Sequence, residues 1–159
     1  MKKIPDRKGM ELALREARKN FRTLEGGPFG ACVVKDGKVV AAARNTVLRG
    51  DATAHAEINA IRKACRKLGT HDLTGCVIYS TTEPCPMCFS AVHWARIGTI
   101  VHGTTISDAK RTGFHELEIS NEELKALGRS KVRIVKDVMR RECLELFRAW
   151  NAIPDRRTY

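Results

Sequence analysis

The sequence has no uninterrupted apolar run approaching the ~20 residues that cross a bilayer, so no membrane-spanning helix is expected. Its opening, MKKIPDRKGMELALREARKN, has the basic start of an export signal but lacks the apolar stretch of one, because charges interrupt it at every turn. Linkers, internal repeats and low-complexity tracts are absent, which points to one domain over residues 1–159. Acidic residues are in the minority, 18 against 29 lysines and arginines, for a formal net charge of +11. That balance raises the prospect of a polyanionic partner. The cations are spread out, however, over Lys2, Lys3, Arg7 and Lys8, over Arg62, Lys63, Arg66 and Lys67, and over Lys131, Arg133, Arg140 and Arg141. Such spacing fits a solvated surface better than a nucleic-acid stripe.

Cysteine is well represented: Cys32, Cys65, Cys76, Cys85, Cys88 and Cys143. In a small secreted protein six cysteines would imply disulfides. A chain of 159 residues can bury its own core without such staples, and without an export signal it is expected in the cytoplasm. In a reducing compartment, closely spaced thiols bind metal or do redox work.

The residue pattern predicts its elements in order. Met10, Leu14, Ala17, Phe21 and Leu24 recur at spacings of four and three, one face of a helix with Asp6 as its cap, ended by Gly26-Gly27-Pro28. Phe29 to Lys35 and Val39 to Ala43 read as strands joined at Asp36-Gly37, a hairpin turn signal. After a polar loop, Ala54 to Leu68 has helical periodicity and Gly69 closes it. A strand from Cys76, a helix over EPCPMCFSAVHWARIG and a strand over 99–102 follow. Ser120 to Glu123 form a capping box for a short helix, Val132 to Val135 a last strand, and Met139 to Trp150 a terminal helix. Strands alternating with helices after an opening hairpin define an α/β class, a three-layer α/β/α domain around a mixed sheet.

Chemistry concentrates in two short stretches. In EPCPMCF, residues 83–89, Cys85 and Cys88 share one face at the start of a helix, where the helix N-terminus favours thiolate. Thiolates at that spacing are zinc ligands, and His55, also at a helix start, is the best third donor. Three protein ligands leave one tetrahedral position for water, whose pKa zinc brings to roughly 7. Two residues beyond His55 stands Glu57, read as the proton carrier and not as a ligand. A structural site would need a fourth ligand, such as Cys65 or Cys76, and neither stands beside the other three in sequence. A redox C-x-x-C leaves the His-x-Glu unexplained, and no H-E-x-x-H protease motif occurs.

The order His55-Ala56-Glu57 followed by Pro84-Cys85-Pro86-Met87-Cys88 matches the H-x-E…P-C-x-x-C signature of zinc nucleobase deaminases. The chain resembles the cytidine-deaminase superfamily, and within it the bacterial guanine deaminase branch. GGPFGACVVKDGKVV, ARNTVLRGDATAHAEINAIRKAC, IYSTTEPCPMCFSAVHWARIG, SDAKRTGF and the closing LFRAWNAIPDRRTY carry the likeness, most of residues 24–118 and the last dozen. HAE and PCPMC belong to the whole superfamily, whereas GGPFGA, HWAR after CPMC, TGF and the closing tyrosine are nearer to guanine deaminases.

The resemblance implies a zinc cofactor and hydrolysis of guanine to xanthine and ammonia. It implies that Asn45 hydrogen-bonds the base, that Phe29, Ala56 and Trp94 lie at the substrate, and that Tyr159, in a tail over 151–159, closes the site. It also implies a homodimer, with exchange of that tail between subunits as one arrangement. Asn45 reads equally as a turn-forming residue, and Trp94 as core packing. One departure concerns the acidic residues after Gly113-Phe114, for which this chain has His115-Glu116; Glu116 can still accept a hydrogen bond from a base. Guanosine or cytosine deamination and, above all, tRNA adenosine deamination stand as alternatives, since TAHAE, P-C-x-M-C and the positive charge also suit the last. A non-catalytic RNA-binding module would need the charge but not Glu57.

Overall fold

The computed structural model describes residues 6–159; Lys2 and Lys3, counted with the cations above, lie outside them. Helix α1, Arg7–Thr23, starts where Asp6 accepts a hydrogen bond from the Lys8 amide at 3.1 Å and buries Met10, Ala13, Leu14 and Ala17. It ends at Leu24 in the left-handed conformation, two residues before the Gly26-Gly27 pair expected to end it. Strands β1, Gly30–Lys35, and β2, Lys38–Arg44, form an antiparallel hairpin. Asp36 and Gly37 both have positive φ, 49° and 73°, as a two-residue turn matched to strand twist requires.

Helix α2, Ala56–Leu68, is followed by strand β3, Cys76–Thr82, helix α3, Pro86–Trp94, and strand β4, Thr99–Thr104. Next come helices α4, Ile106–Arg111, and α5, Asn121–Leu127, strand β5, Arg133–Val135, and helix α6, Arg140–Asn151. The sheet order is β2-β1-β3-β4-β5. β1 runs antiparallel to its two neighbours, whereas β3, β4 and β5 are parallel, so the sheet is mixed as expected.

Strand alternation builds the layers, because successive side chains point to opposite faces. Ala31, Val33, Ile78 and Ile100 face one way and pack with Ala60 and Ala64 of α2 and Phe89 and Val92 of α3. Cys32, Tyr79 and Val101 face the other way, onto Met10 and Leu14 of α1 and Cys143 and Leu146 of α6. The result is the expected α/β/α stack. Gly30 permits the close approach of β1 to α1, since a Cβ there would sit 1.9 Å from the Ala13 carbonyl oxygen. The sequence reading leaves α4 unassigned. Six residues are too few to show a period, and its only local signal is the capping box between Thr105 and Asp108.

Candidate metal centre and active site

Two helices begin at the site. His55 caps α2 and Cys85 caps α3, each with extended backbone (φ −63° in both, ψ 156° and 167°) and neither making a side-chain capping bond. Cap residues normally spend a side-chain oxygen on the helix N–H groups. Here an imidazole and a sulfur stand in those places and turn toward each other. Both are therefore cap residues, one position ahead of the first helical residue. Pro86 follows at the first helical position, where a missing N–H costs nothing, and Cys88 follows one turn in.

The Nδ1 atom of His55 lies 3.6 Å from the sulfurs of both Cys85 and Cys88. Zinc bonded tetrahedrally to sulfur at ~2.3 Å and to imidazole nitrogen at ~2.05 Å sets those atoms about 3.6 Å apart. The donor set and its spacing thus fit the ion. No other group of three His, Cys, Asp or Glu side chains among the described residues converges in this way. Cys65 and Cys76 are not in the group, and no fourth His, Cys, Asp or Glu side chain among the described residues joins it. The Cys85 thiol is held down to about 4, chiefly by the hydrogen bond from Cys88 and then by His55. Burial instead pushes Cys88 well up. Burial alone would depress the His55 imidazole, but its bond to Cys85 and the charge of Glu57 outweigh that and raise it.

Glu57 is buried behind these groups. The Ser80 hydroxyl at the end of β3 donates to its Oε1 at 2.7 Å, and its Oε2 lies 3.5 Å from Cys88 Sγ. Burial raises the Glu57 carboxyl above its ordinary value, partly offset by His55.

A cavity of about 140 Å³ opens onto these groups, with Phe29, Asn45, His55, Glu57, Cys85, Glu116 and Tyr159 in its wall. The residues singled out in the sequence therefore meet in one place, with three qualifications. Cys88 and Ala56 are fully buried behind the wall. Trp94 is absent: it is 77% exposed, at the end of α3, about 13 Å of helix beyond Cys85. Neither of its expected roles, base stacking or core packing, is met.

The chain's own tail lies over the cavity. The Tyr159 ring packs edge-on against Phe114 at 5.4 Å, and its main-chain oxygen accepts from the His115 amide at 2.8 Å. Its hydroxyl accepts from the Gly27 amide at 2.8 Å and donates to Asn45 Oδ1 at 2.7 Å. Asn45 Oδ1 also accepts from the Val47 amide at 3.0 Å, so both its acceptor positions are used. A Cβ on Gly26 would meet that same Oδ1 at 2.2 Å, which explains one glycine of GGPFGA. Glu116 faces the cavity, and burial together with the charges of Cys85 and Glu57 pushes its carboxyl up to about 7.

Several supporting residues escaped the sequence reading. Ser80 holds Glu57. Asn20, fully buried, donates to the carbonyls of Gly27 and Asn45 at 2.8 Å each and so ties the glycine loop to the end of β2. Glu83 accepts from the amides of Ile106 and Asn121 and anchors the starts of α4 and α5. The available signal was polarity out of place: Asn20 next to Phe21 and three residues past Ala17 of the apolar stripe, and Ser80 to Glu83 closing an apolar strand.

A two-faced mixed sheet with two helix caps converging on a Cys₂His site defines a zinc-dependent deaminase. Residues 3–104 match the cytidine and deoxycytidylate deaminase zinc-binding region, and the chain belongs to that family. It is 40% identical over 135 residues to a guanine deaminase of Bacillus subtilis, covering 84% of this chain and 86% of that one. A solved guanine deaminase from Nitrosomonas europaea superposes with a TM-score of 0.80 at 31% identity, over 91% of this chain and 83% of the other. A tRNA-specific adenosine deaminase of Aquifex aeolicus is 42% identical over 106 residues, 62% of this chain and 70% of the relative.

Proposed function

We propose that the protein hydrolyses the exocyclic amine of a free purine base, converting guanine to xanthine and ammonia. The observation that carries this reading is the conjunction of three ligand atoms at tetrahedral spacing, a buried carboxylate beside them, and a small cavity under the chain's own tail. Pockets for drug-sized ligands have volumes of roughly 300–1,000 Å³. A cavity of about 140 Å³ favours a bare heterocycle over a nucleoside or a flipped RNA nucleotide.

Zinc held by His55, Cys85 and Cys88 would supply the Lewis acidity that makes water a nucleophile near neutral pH. The rest falls to the chain. Glu57, fixed through Oε1 by Ser80, accepts one proton from the attacking water and delivers it to a ring nitrogen, then carries the second proton from the added hydroxyl to the amine, which leaves as ammonia as the carbonyl forms. Asn45, with Oδ1 occupied twice, presents Nδ2 to the base as a donor only. Phe29 and Phe114, 4.8 Å apart and edge-on, form the apolar wall for a flat ring. Glu116 accepts from the N–H edge of guanine, and Ala56 keeps the space behind His55 filled. The tail from 151 to 159 excludes water once the base is bound.

The protein acts as a single domain in the cytoplasm, where its cysteines stay reduced, and as a homodimer. An apolar surface supports the dimer: Trp94 and Leu127 are 77% and 83% exposed and line one groove with Phe89 and Leu124. The substrate assignment is tested by measuring ammonia release from guanine, guanosine, cytosine, adenosine and a tRNA anticodon stem-loop. Guanine should be the preferred substrate; release from the stem-loop alone would overturn the assignment.

A further inference from the structure

Five of the cations, drawn from separate stretches of the chain, meet in space. Arg44 at the end of β2 and Arg49 on the single 3₁₀ turn Val47–Arg49 face Arg62, Lys63 and Arg66 of α2 across one cleft of about 340 Å³. Two stretches of sequence some fifteen residues apart thus supply one concave basic surface on the far edge of the sheet, separate from the catalytic cavity.

Compensation within the cleft is partial. Glu25 pairs with Arg44 and lies 3.8 Å from Arg49, and Asp51 lies 3.5 Å from Arg62. Five cations therefore face two carboxylates. Lys63 spends a proton on the Ala42 carbonyl of the edge strand at 3.2 Å, a neutral partner that leaves its charge unbalanced. Arg66 has no ion-pair partner among the described residues. Arg62 and Arg66 stand four apart on one helix, an arrangement that has a cost in like-charge repulsion. Attraction of Arg66 to the C-terminal end of α2 offsets part of that cost, but it does not account for Arg44, Arg49, Arg62 and Lys63. Concave surfaces lined by one sign of charge focus the field on an oppositely charged ligand. Thr46, also in the lining, adds a neutral donor group: its Oγ1 accepts from Asn59 at 3.0 Å, which leaves its hydroxyl proton available to donate. Guanidinium forks, an ammonium and a hydroxyl together suit phosphate oxygens.

We infer that the cleft between β2 and α2 binds a phosphate-rich anion, several closely spaced phosphate groups carried either by a free polyphosphate or by an RNA backbone. The site is built from residues the proposed deamination does not use, so it stands independently of that reading.

Calorimetric titration with inorganic tripolyphosphate and fluorescence anisotropy with a 12-nucleotide single-stranded RNA, both at low salt, test it. In the double variant Lys63→Glu/Arg66→Glu binding of the preferred probe should weaken by roughly tenfold or more. A control of equal charge change at the opposite edge of the sheet, Lys125→Glu/Lys131→Glu, should change it less than about twofold, because screening confines the effect to the local charges. Guanine turnover in the cleft variant should stay at the wild-type level, and an unchanged thermal melt by circular dichroism shows, whatever the substrate, that the variant folds. Tripolyphosphate that binds and displaces the RNA identifies a small polyphosphate as the ligand class. RNA that binds with a salt slope of several times about −0.7, one increment per phosphate contacted, and resists displacement identifies the backbone. Failure of both probes to bind the wild type, or equal losses in the two variants, would overturn the inference, since net charge alone would then account for any binding.

Discussion

Glu57 has one oxygen held by Ser80 and the other turned toward the metal centre, so its position is set before any substrate arrives. Replacing it with glutamine keeps the shape and removes the proton carrier. Zinc content should be unchanged, while ammonia release should fall by roughly 10²–10⁴; undiminished turnover would show that another group moves the proton. Tyr159 acts one step further out. Its hydroxyl holds the oxygen end of the Asn45 amide, so Tyr159→Phe frees that amide to turn in the cavity wall. The substitution also removes the acceptor of the Gly27 amide; the bond to Asn45, about 0.5–1.5 kcal/mol net, is the one that bears on the base, and its loss should raise KM for guanine roughly two- to tenfold with little change in kcat. An unchanged KM would mean that Asn45 is held by Val47 alone. At this scale the sequence was partly legible. Asn45 reads there as either a turn former or a substrate contact; its side chain closes a turn onto the Val47 amide and also lines the cavity. Its dependence on Tyr159 was not legible, because 114 residues separate the two.

Elements with a chemical marker at their ends were legible in the sequence: Asp6 before α1, Asp36-Gly37 in the hairpin, Gly69 after α2 and the capping box at Ser120. Where the marker or the period fails, so does the reading. Helix α3, PMCFSAVHW, is apolar on nearly every side and offers no stripe to show which face turns inward; hence the misplacement of Trp94. Helix α4 is too short for a period, yet it carries the wall residues Phe114 and Glu116 behind it. It is anchored by Asp108, which is buried, accepts from the Thr105 amide at 2.9 Å and pairs with Arg111 and Arg140. Burial works against that charge, but the Arg140 bond and the Thr105 bonds outweigh it and hold the Asp108 carboxyl well below the usual carboxylate range. A carboxyl depressed in the folded state stabilises the fold above its unfolded pKa, about 3.9, and that contribution is lost as pH falls toward the folded value. Asp108→Asn should therefore cost roughly 1.5–3 kcal/mol in thermal unfolding at neutral pH, as for a hydrogen bond to a charged group. The gap between variant and wild type should shrink below pH 4. A gap that stayed constant down to pH 2 would show that the charge of Asp108 contributes nothing.

Across the whole molecule, the features least visible in the sequence are those assembled from several elements: the cationic cleft, the exposed apolar groove and the cavity closed by the tail. Charge counts and periodicity describe one stretch at a time, whereas these surfaces depend on which edge and which layer each stretch occupies. The groove carries the quaternary prediction. Trp94→Glu places a charge where two apolar faces would meet, so sedimentation should show a shift from dimer to monomer at micromolar concentration. A wild type that sediments as a monomer would remove the groove as an interface.

The account rests on a metal held by one imidazole and two sulfurs with its remaining position open. X-ray absorption at the zinc edge, combined with elemental analysis of the purified protein, tests this most directly. About one zinc per chain is expected, with two sulfurs, one imidazole nitrogen and one light-atom neighbour from solvent. A protein free of metal, or a third sulfur bound to the zinc, would contradict it.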